Sequence, residues 1–236
     1  MLIAMTVLAL SGAAAPADRS FASPSDLQRW LTDYHRRPRP ELVVAALVAL
    51  ETELPRHGST LEAQAARGGM RSFFGLVLAK SPAAVRAVEQ HDFEPGTRRF
   101  LAEALWRCGT TPCTAALARL RVEPAASATP APDVRVAPVD TAAAVDDLWA
   151  SYSATGDTVY VERVIDALPP SAEVSDPPRA IAAGAALWSL VSNAAQDGDV
   201  LAVCVAAARR ADPPRRAVLE DVVRRARLAR GDGPGF

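Results

Sequence analysis

The chain has 236 residues, half of them hydrophobic, and its 26 basic and 27 acidic side chains leave a formal net charge of −1. That balance excludes a protein whose main business is neutralising nucleic acid or an anionic membrane surface. The length allows one large domain or two small ones, and much of the apolar content is alanine, which favours helix more than any other residue and lets helix axes pack closely.

At the start, Leu2 to Leu10 is an unbroken run of apolar residues and threonine, followed by Ala15-Pro16-Ala17. Such a run is too short to cross a bilayer, which takes about 20 residues, but it suits the core of an export signal. Residues 1–17 are therefore expected to be a leader, with the mature chain beginning at Asp18 and residing in the periplasm or outside the cell. No basic residue precedes the run, so a first helix of a cytoplasmic protein is the competing reading. No cysteine follows it to carry a lipid, and no later segment is long and apolar enough to span a membrane.

Residues 18–121 read as an N-terminal helical half. Ser23-Pro24-Ser25-Asp26 is a helix start, with a capping hydroxyl and a proline whose missing N–H costs nothing in the first turn. Leu27, Trp30, Leu31 and Tyr34 then form one apolar face. A second helix is expected from Glu41 to Leu54, a weak one from Thr60 to Ala66, a break at Gly68-Gly69, and a further helix from Met70 to Lys80 carrying Phe73, Phe74, Val77 and Leu78. Ser81-Pro82 starts a helix that ends near His91. Thr97 to Arg107, with Phe100, Leu101, Ala104 and Leu105, forms a hairpin with Cys113 to Arg121 across Gly109.

Residues 122–140 hold Pro124, Pro130, Pro132 and Pro138 among small residues, the composition of a linker or an extended strap. Residues 141–230 form a second helical half. Val145, Leu148, Trp149 and Tyr152 make one stripe; Gly156 and Asp157 turn the chain; Val161, Val164, Ile165 and Leu168 make the next. Pro177-Pro178 opens a long helix read through Ile181, Ala185, Trp188, Val191 and Ala195. Val200 to Ala208 is apolar all round and is expected to be buried. Pro213-Pro214 introduces a last helix with Val218, Leu219, Val222, Val223 and Ala226 on one face, and residues 231–236 are a tail. The fold class is all-α, about ten helices in antiparallel hairpins, either α-solenoid-like or an irregular bundle.

The stretches 26–34 (DLQRWLTDY) with 38–42 (PRPEL), 148–157 (LWASYSATGD) and 186–190 (ALWSL) resemble an uncharacterised family of bacterial, exported α-helical proteins with no known activity. The resemblance implies the all-α fold over most of the mature chain. Its motifs are packing and turn signatures, so it carries over no catalytic residue.

Chemistry-bearing residues are sparse. Cys108 and Cys113 flank a helix corner, and in an exported protein their expected state is a disulfide pinning the hairpin; the spacing is not the Cys-x-x-Cys of redox enzymes. Cys204 lies in an apolar helix as a packed thiol. His35, His57 and His91 are dispersed at helix ends, where a histidine commonly meets the helix dipole. Glu162 and Asp166, four apart on one helical face, form an acid pair that a solvated surface explains as well. Arg209, Arg210, Arg215, Arg216, Arg224 and Arg225 make the C-terminus basic and are the one surface suited to an anionic partner; no aromatics for stacking bases are interleaved. No Gly-rich phosphate loop, nucleophile elbow or His-Glu-x-x-His occurs, and no cofactor or metal is expected.

The leading expectation is thus a non-catalytic exported helical protein that acts as a protein-interaction scaffold, its partner being another protein. Two alternatives belong to other classes. One is an enzyme whose site is assembled between helices from residues such as Glu162, Asp166 or His91. The other is a cytosolic module that meets nucleic acid through the C-terminal arginines.

Overall fold

A computed structural model describes residues 21–53, 61–122, 131–169 and 176–231. The expected leader, residues 123–130 of the proline-rich segment, His57 and the tail beyond 231 lie outside the described residues. Those residues form an all-α protein without a strand: α1 (Pro24–Asp33), a 3₁₀ turn (Pro40–Leu42), α2 (Val43–Glu53), α3 (Leu61–Lys80), α4 (Pro82–Gln90), α5 (Pro95–Cys108), α6 (Thr111–Leu120), α7 (Ala142–Thr155), α8 (Val159–Asp166), α9 (Pro177–Gln196), α10 (Gly198–Arg210) and α11 (Pro213–Arg230).

Local chemistry sets the helix starts. Proline occupies the first turn of α1, α4, α5, α6, α9 and α11, where a missing N–H leaves no bond unmade. Side-chain oxygens of Ser23, Ser81, Thr141, Asp197 and Asp212 accept backbone N–H groups at the starts of α1, α4, α7, α10 and α11, satisfying donors that a helix cannot pair internally.

Two apolar clusters hold these helices. The first gathers Leu27, Trp30 and Tyr34 from the α1 end with Leu47, Phe73, Phe74, Val77, Val88, Phe100 and Leu101. Trp30 is its hub, with edge-on ring contacts at 5.3 Å to Tyr34 and 5.5 Å to Phe73. The second gathers Val145, Leu148 and Tyr152 of α7 with Val161 and Val164 of α8, Leu190 and Ala194 of α9, Cys204 of α10, and Leu219 and Val222 of α11. Helix α7 belongs to both clusters, since Ala154, 2% exposed, packs into the first.

The joint between the clusters is the packing of α7 on α3. A Cβ at Gly69 would lie 3.1 Å from the carbonyl oxygen of Asp146, so a larger residue would push the two backbones apart by a few tenths of an ångström. Beside it, the Ser72 hydroxyl donates to Asp147 Oδ1 at 2.9 Å and accepts from Arg107 Nη1 at 2.9 Å, tying α3, α5 and α7 together. Residues 131–140 lie as a strap against the second cluster: Val134 and Val139 pack on it, and Arg163 Nη2 donates to the Ala137 carbonyl at 2.6 Å.

Three sequence expectations change. Gly68-Gly69 does not break the chain, because α3 runs unbroken from Leu61 to Lys80 and its glycines serve close helix approach. On α9 the core face is Ala182, Ala183, Ala186, Leu190 and Ala194, whereas Ile181 and Trp188 point outward; the small residues face α7, α10 and α11, against which α9 packs. Helix α10 is not buried all round, for only Val200, Cys204 and Ala208 are fully covered.

Candidate functional site

The polar face of α1 presents Ser25, Gln28, Arg29, Thr32 and Asp33 on the side away from Leu27 and Trp30. Across from it lie the last turns of α7 and α9, with Tyr152, Ser153, Asn193, Gln196 and the following Asp197. Together with Arg36 these residues line a cleft of about 400 Å³. The chain brings them together from three segments far apart in sequence.

Asp197 is the fixed point of the cleft. Its Oδ1 receives Arg36 Nη2 at 2.6 Å and the N–H of Asp199 at 2.8 Å, while its Oδ2 receives the Tyr152 hydroxyl at 2.9 Å. Burial first, then the hydrogen bond to Asp197 and its charge, hold the Tyr152 phenol above its ordinary value of 10.0. The hydroxyl is therefore a committed donor rather than a proton carrier at neutral pH.

The second clasp is made by His35. Its backbone N–H donates to the Ser153 carbonyl at 3.0 Å, and its ring lies 5.0 Å from that of Tyr152. Gly156 ends α7 with φ +70, and a Cβ there would sit 3.1 Å from the imidazole. The position therefore requires glycine for both its backbone conformation and its space. Both ring nitrogens of His35 are buried and make no hydrogen bond among the described residues.

Within the cleft each side-chain amide donates a hydrogen bond inside its own helix. Asn193 Nδ2 donates to the Ser189 carbonyl at 2.9 Å, Gln196 Nε2 to the Ser192 carbonyl at 3.3 Å, and Gln28 Nε2 to Thr32 Oγ1 at 3.3 Å. Gln28 and Asn193 each keep a second amide N–H, and the three amide oxygens accept no hydrogen bond among the described residues. Chemically this is a mixed polar surface of amides, hydroxyls, two aspartates and two guanidinium groups.

The same helix carries a second feature. Ile181 is 65% and Trp188 74% exposed, two turns apart on the outer face of α9. Between them Gly184 has no neighbour within 4 Å of the place its Cβ would take. The result is an apolar ridge of two large side chains with small residues between them.

The residues singled out from sequence have other surroundings. Cys108 and Cys113 form a disulfide at the α5–α6 corner, next to Gly109 with φ +64. Cys204 is buried in the second cluster, and burial pushes its thiol up to about 12. The His91 ring lies tilted against Phe93 at 4.5 Å and is not part of the cleft lining. Glu162 and Asp166 each face arginines: Glu162 meets Arg210 at 3.4 Å, and Asp166 meets Arg215 at 3.6 Å and Arg163 at 3.8 Å. Among the described residues no group of three or more His, Cys, Asp or Glu side chains is placed to hold a metal, and no helix is long and apolar enough to cross a membrane.

Several of the C-terminal arginines are tied to neighbouring groups. Arg215 Nη2 donates to the Ile165 carbonyl at 2.7 Å, Arg216 Nη2 to the Ala211 carbonyl at 2.9 Å, and Arg224 and Arg225 both pair with Asp221. Arg210 is held by Glu162 as above, and Arg209 is exposed at the end of α10. Much of this charge is answered within the molecule.

The ridge and the cleft were both missed in sequence. The ridge had a signal: Ala182, Ala186, Leu190 and Ala194 recur every four residues and outline a small-residue core face, which leaves Ile181 and Trp188 outside it. No protein-family model, curated protein or solved structure matches this chain.

Proposed function

We propose that the chain is a non-catalytic, exported helical protein that works as a protein-interaction scaffold, and that the outer face of α9 receives an apolar helix face of its partner. The observation that carries this is Trp188, 74% exposed beside Ile181 at 65%. Water-exposed apolar patches of this kind mark interaction surfaces, and tryptophan is enriched among the few residues that carry interface energy. Large side chains at a spacing of seven, with Gly184 and Ala185 between them, offer the gap into which a partner helix inserts its own anchors.

Export is supported by the apolar run Leu2 to Leu10 with Ala15-Pro16-Ala17, and by the Cys108–Cys113 disulfide, a bond that persists in oxidising compartments. N-terminal sequencing of the purified protein should begin at Asp18; a chain retaining Met1 in the cytosol would end the export reading. The interaction is tested by pull-down from envelope extract with the parent chain and an Ile181→Ser/Trp188→Ser variant. A protein captured by the first and lost by the second is the expected result. Identical captures, or none, would sink the scaffold reading.

A further inference from the structure

We infer that the outer face of α9 docks against the same face of a second copy of this chain, the two helices running antiparallel about a two-fold axis. The inference rests on the docking reading of α9 given above and names its occupant.

Composition is the first argument. Helical spacing puts Gly184, Ala185, Ser192 and Ala195 on the side of α9 that carries Ile181 and Trp188. From Ala180 to Gln196 the helix holds no Asp, Glu, Lys or Arg. The face therefore offers no charge by which to select an acidic or a basic partner. A copy of the same face meets no like charge when the two are brought together.

Shape is the second. A two-fold interface is self-complementary, so whatever protrudes from the patch must find its recess on that patch. The outer face of α9 has both. Trp188 and Ile181 are the protrusions, and Gly184 is the recess, because a Cβ there would have no neighbour within 4 Å. A glycine in mid-helix lowers helix stability relative to alanine. At Gly69 and Gly75 the close approach of α7 and α5 offsets that cost; at Gly184 nothing among the described residues does, and a helix arriving from outside the chain would.

Direction is the third. In an antiparallel pair with its axis at the level of Ala186, Gly184 of each copy lies opposite Trp188 of the other. Each indole then covers the bare backbone at Gly184, and each Ile181 meets the turn that holds Val191 and Ser192. A parallel pair would set Trp188 against Trp188 and Gly184 against Gly184, protrusion on protrusion and gap on gap. Antiparallel helices also bring opposite ends of their dipoles together. The contact is small: α9 has 20 residues, a length of about 30 Å. One such helix from each copy falls below the roughly 1,200 Å² at which stable interfaces begin, so the pair forms reversibly, with a dissociation constant on the order of micromolar.

The test is sedimentation equilibrium of the full chain from about 1 to 200 μM, a range that brackets such an affinity. The parent should pass from monomer to dimer, its tryptophan emission moving to the blue as Trp188 is covered. Trp188→Ser should raise the dissociation constant at least about tenfold. Gly184→Leu is the sharper variant, since in the free chain its side chain enters open space. It adds apolar surface, so an unspecifically adhesive face would associate more tightly, whereas a filled recess should weaken the pair at least about tenfold. Circular dichroism melts at the lowest concentration verify that both variants fold. In the envelope pull-down the captured protein should be a copy of this chain. A parent chain that stays monomeric, a dimer indifferent to Trp188→Ser, or one strengthened by Gly184→Leu would overturn the two-fold pairing. If the pull-down then still captures a different protein that Ile181→Ser/Trp188→Ser releases, the docking reading stands without it; an empty pull-down ends both.

Discussion

Gly75 and Gly184 are both helical glycines, yet their surroundings predict opposite outcomes for the same change. A Cβ at Gly75 would lie 3.0 Å from the Ala104 carbonyl oxygen, 3.1 Å from Arg107 Cβ and 3.3 Å from the Cys108 nitrogen. Two of those atoms are backbone, so α3 and α5 must move apart. Gly75→Ala should destabilise by roughly 1–3 kcal/mol, the usual cost of overpacking, even after the helix-propensity gain. Gly184→Ala meets open space and should stabilise by about 0.5–1 kcal/mol. Urea denaturation of the two variants reads both signs. At the same scale, burial pushes the Cys204 thiol from 9.0 to about 12, and burial with the charge of Glu41 pushes the Tyr34 hydroxyl from 10.0 to about 12. Their folded values exceed the unfolded ones, so the stability they contribute is full below pH 9 and is lost as the pH rises toward 12. The urea midpoint should therefore fall across that window. In Cys204→Ala the fall should start about one pH unit later, when the tyrosines begin to ionise.

The α5–α6 hairpin shows what a single element gains from its corner. The Cys108–Cys113 bond closes a loop with a sequence separation of 5, for which loop-closure entropy gives about 2 kcal/mol. Cys108→Ala/Cys113→Ala should lower the unfolding free energy by about that amount, and reductant should do the same to the parent chain without altering the variant. Hairpins of this kind were legible in the sequence, because prolines at the helix starts and the glycines at 109 and 156 act through local backbone rules. Helix α9 was not. Its apolar residues fall on both faces, and the alanine stripe that does the packing is a fainter signal than the large side chains on the opposite face. Helix α3 misled for a related reason: Gly68-Gly69 is a breaker by local propensity, and only the approach of α7 explains why the helix continues. The cleft escaped notice because its polar residues are ordinary surface residues one helix at a time. Nothing local records that Asp33, Ser153 and Asn193 face one space.

Across the whole molecule the decisive arrangement is that α7 serves both apolar clusters. Val145 and Leu148 anchor the second cluster, Ala154 enters the first, and Asp147 meets Ser72 and Arg107 of α3 and α5. Asp147→Ala would leave the largely covered Arg107 without its carboxylate and should cost about 1–3 kcal/mol. Unfolding of the parent chain should be one transition, with far-UV and near-UV circular dichroism tracing the same curve against urea. Two separated transitions would mean that the shared helix does not couple the clusters.

The division of α7 between two clusters also bears on how the chain can be cut. Severing it within 123–130 removes a covalent tether but leaves every contact between α3 and α7 available to be remade. The piece that ends before the cut cannot complete its own surface, since the side of α3 that packs on α7 stays uncovered until α7 meets it. Expressed alone, each piece should be poorly soluble; expressed together, they should assemble and purify as a one-to-one pair.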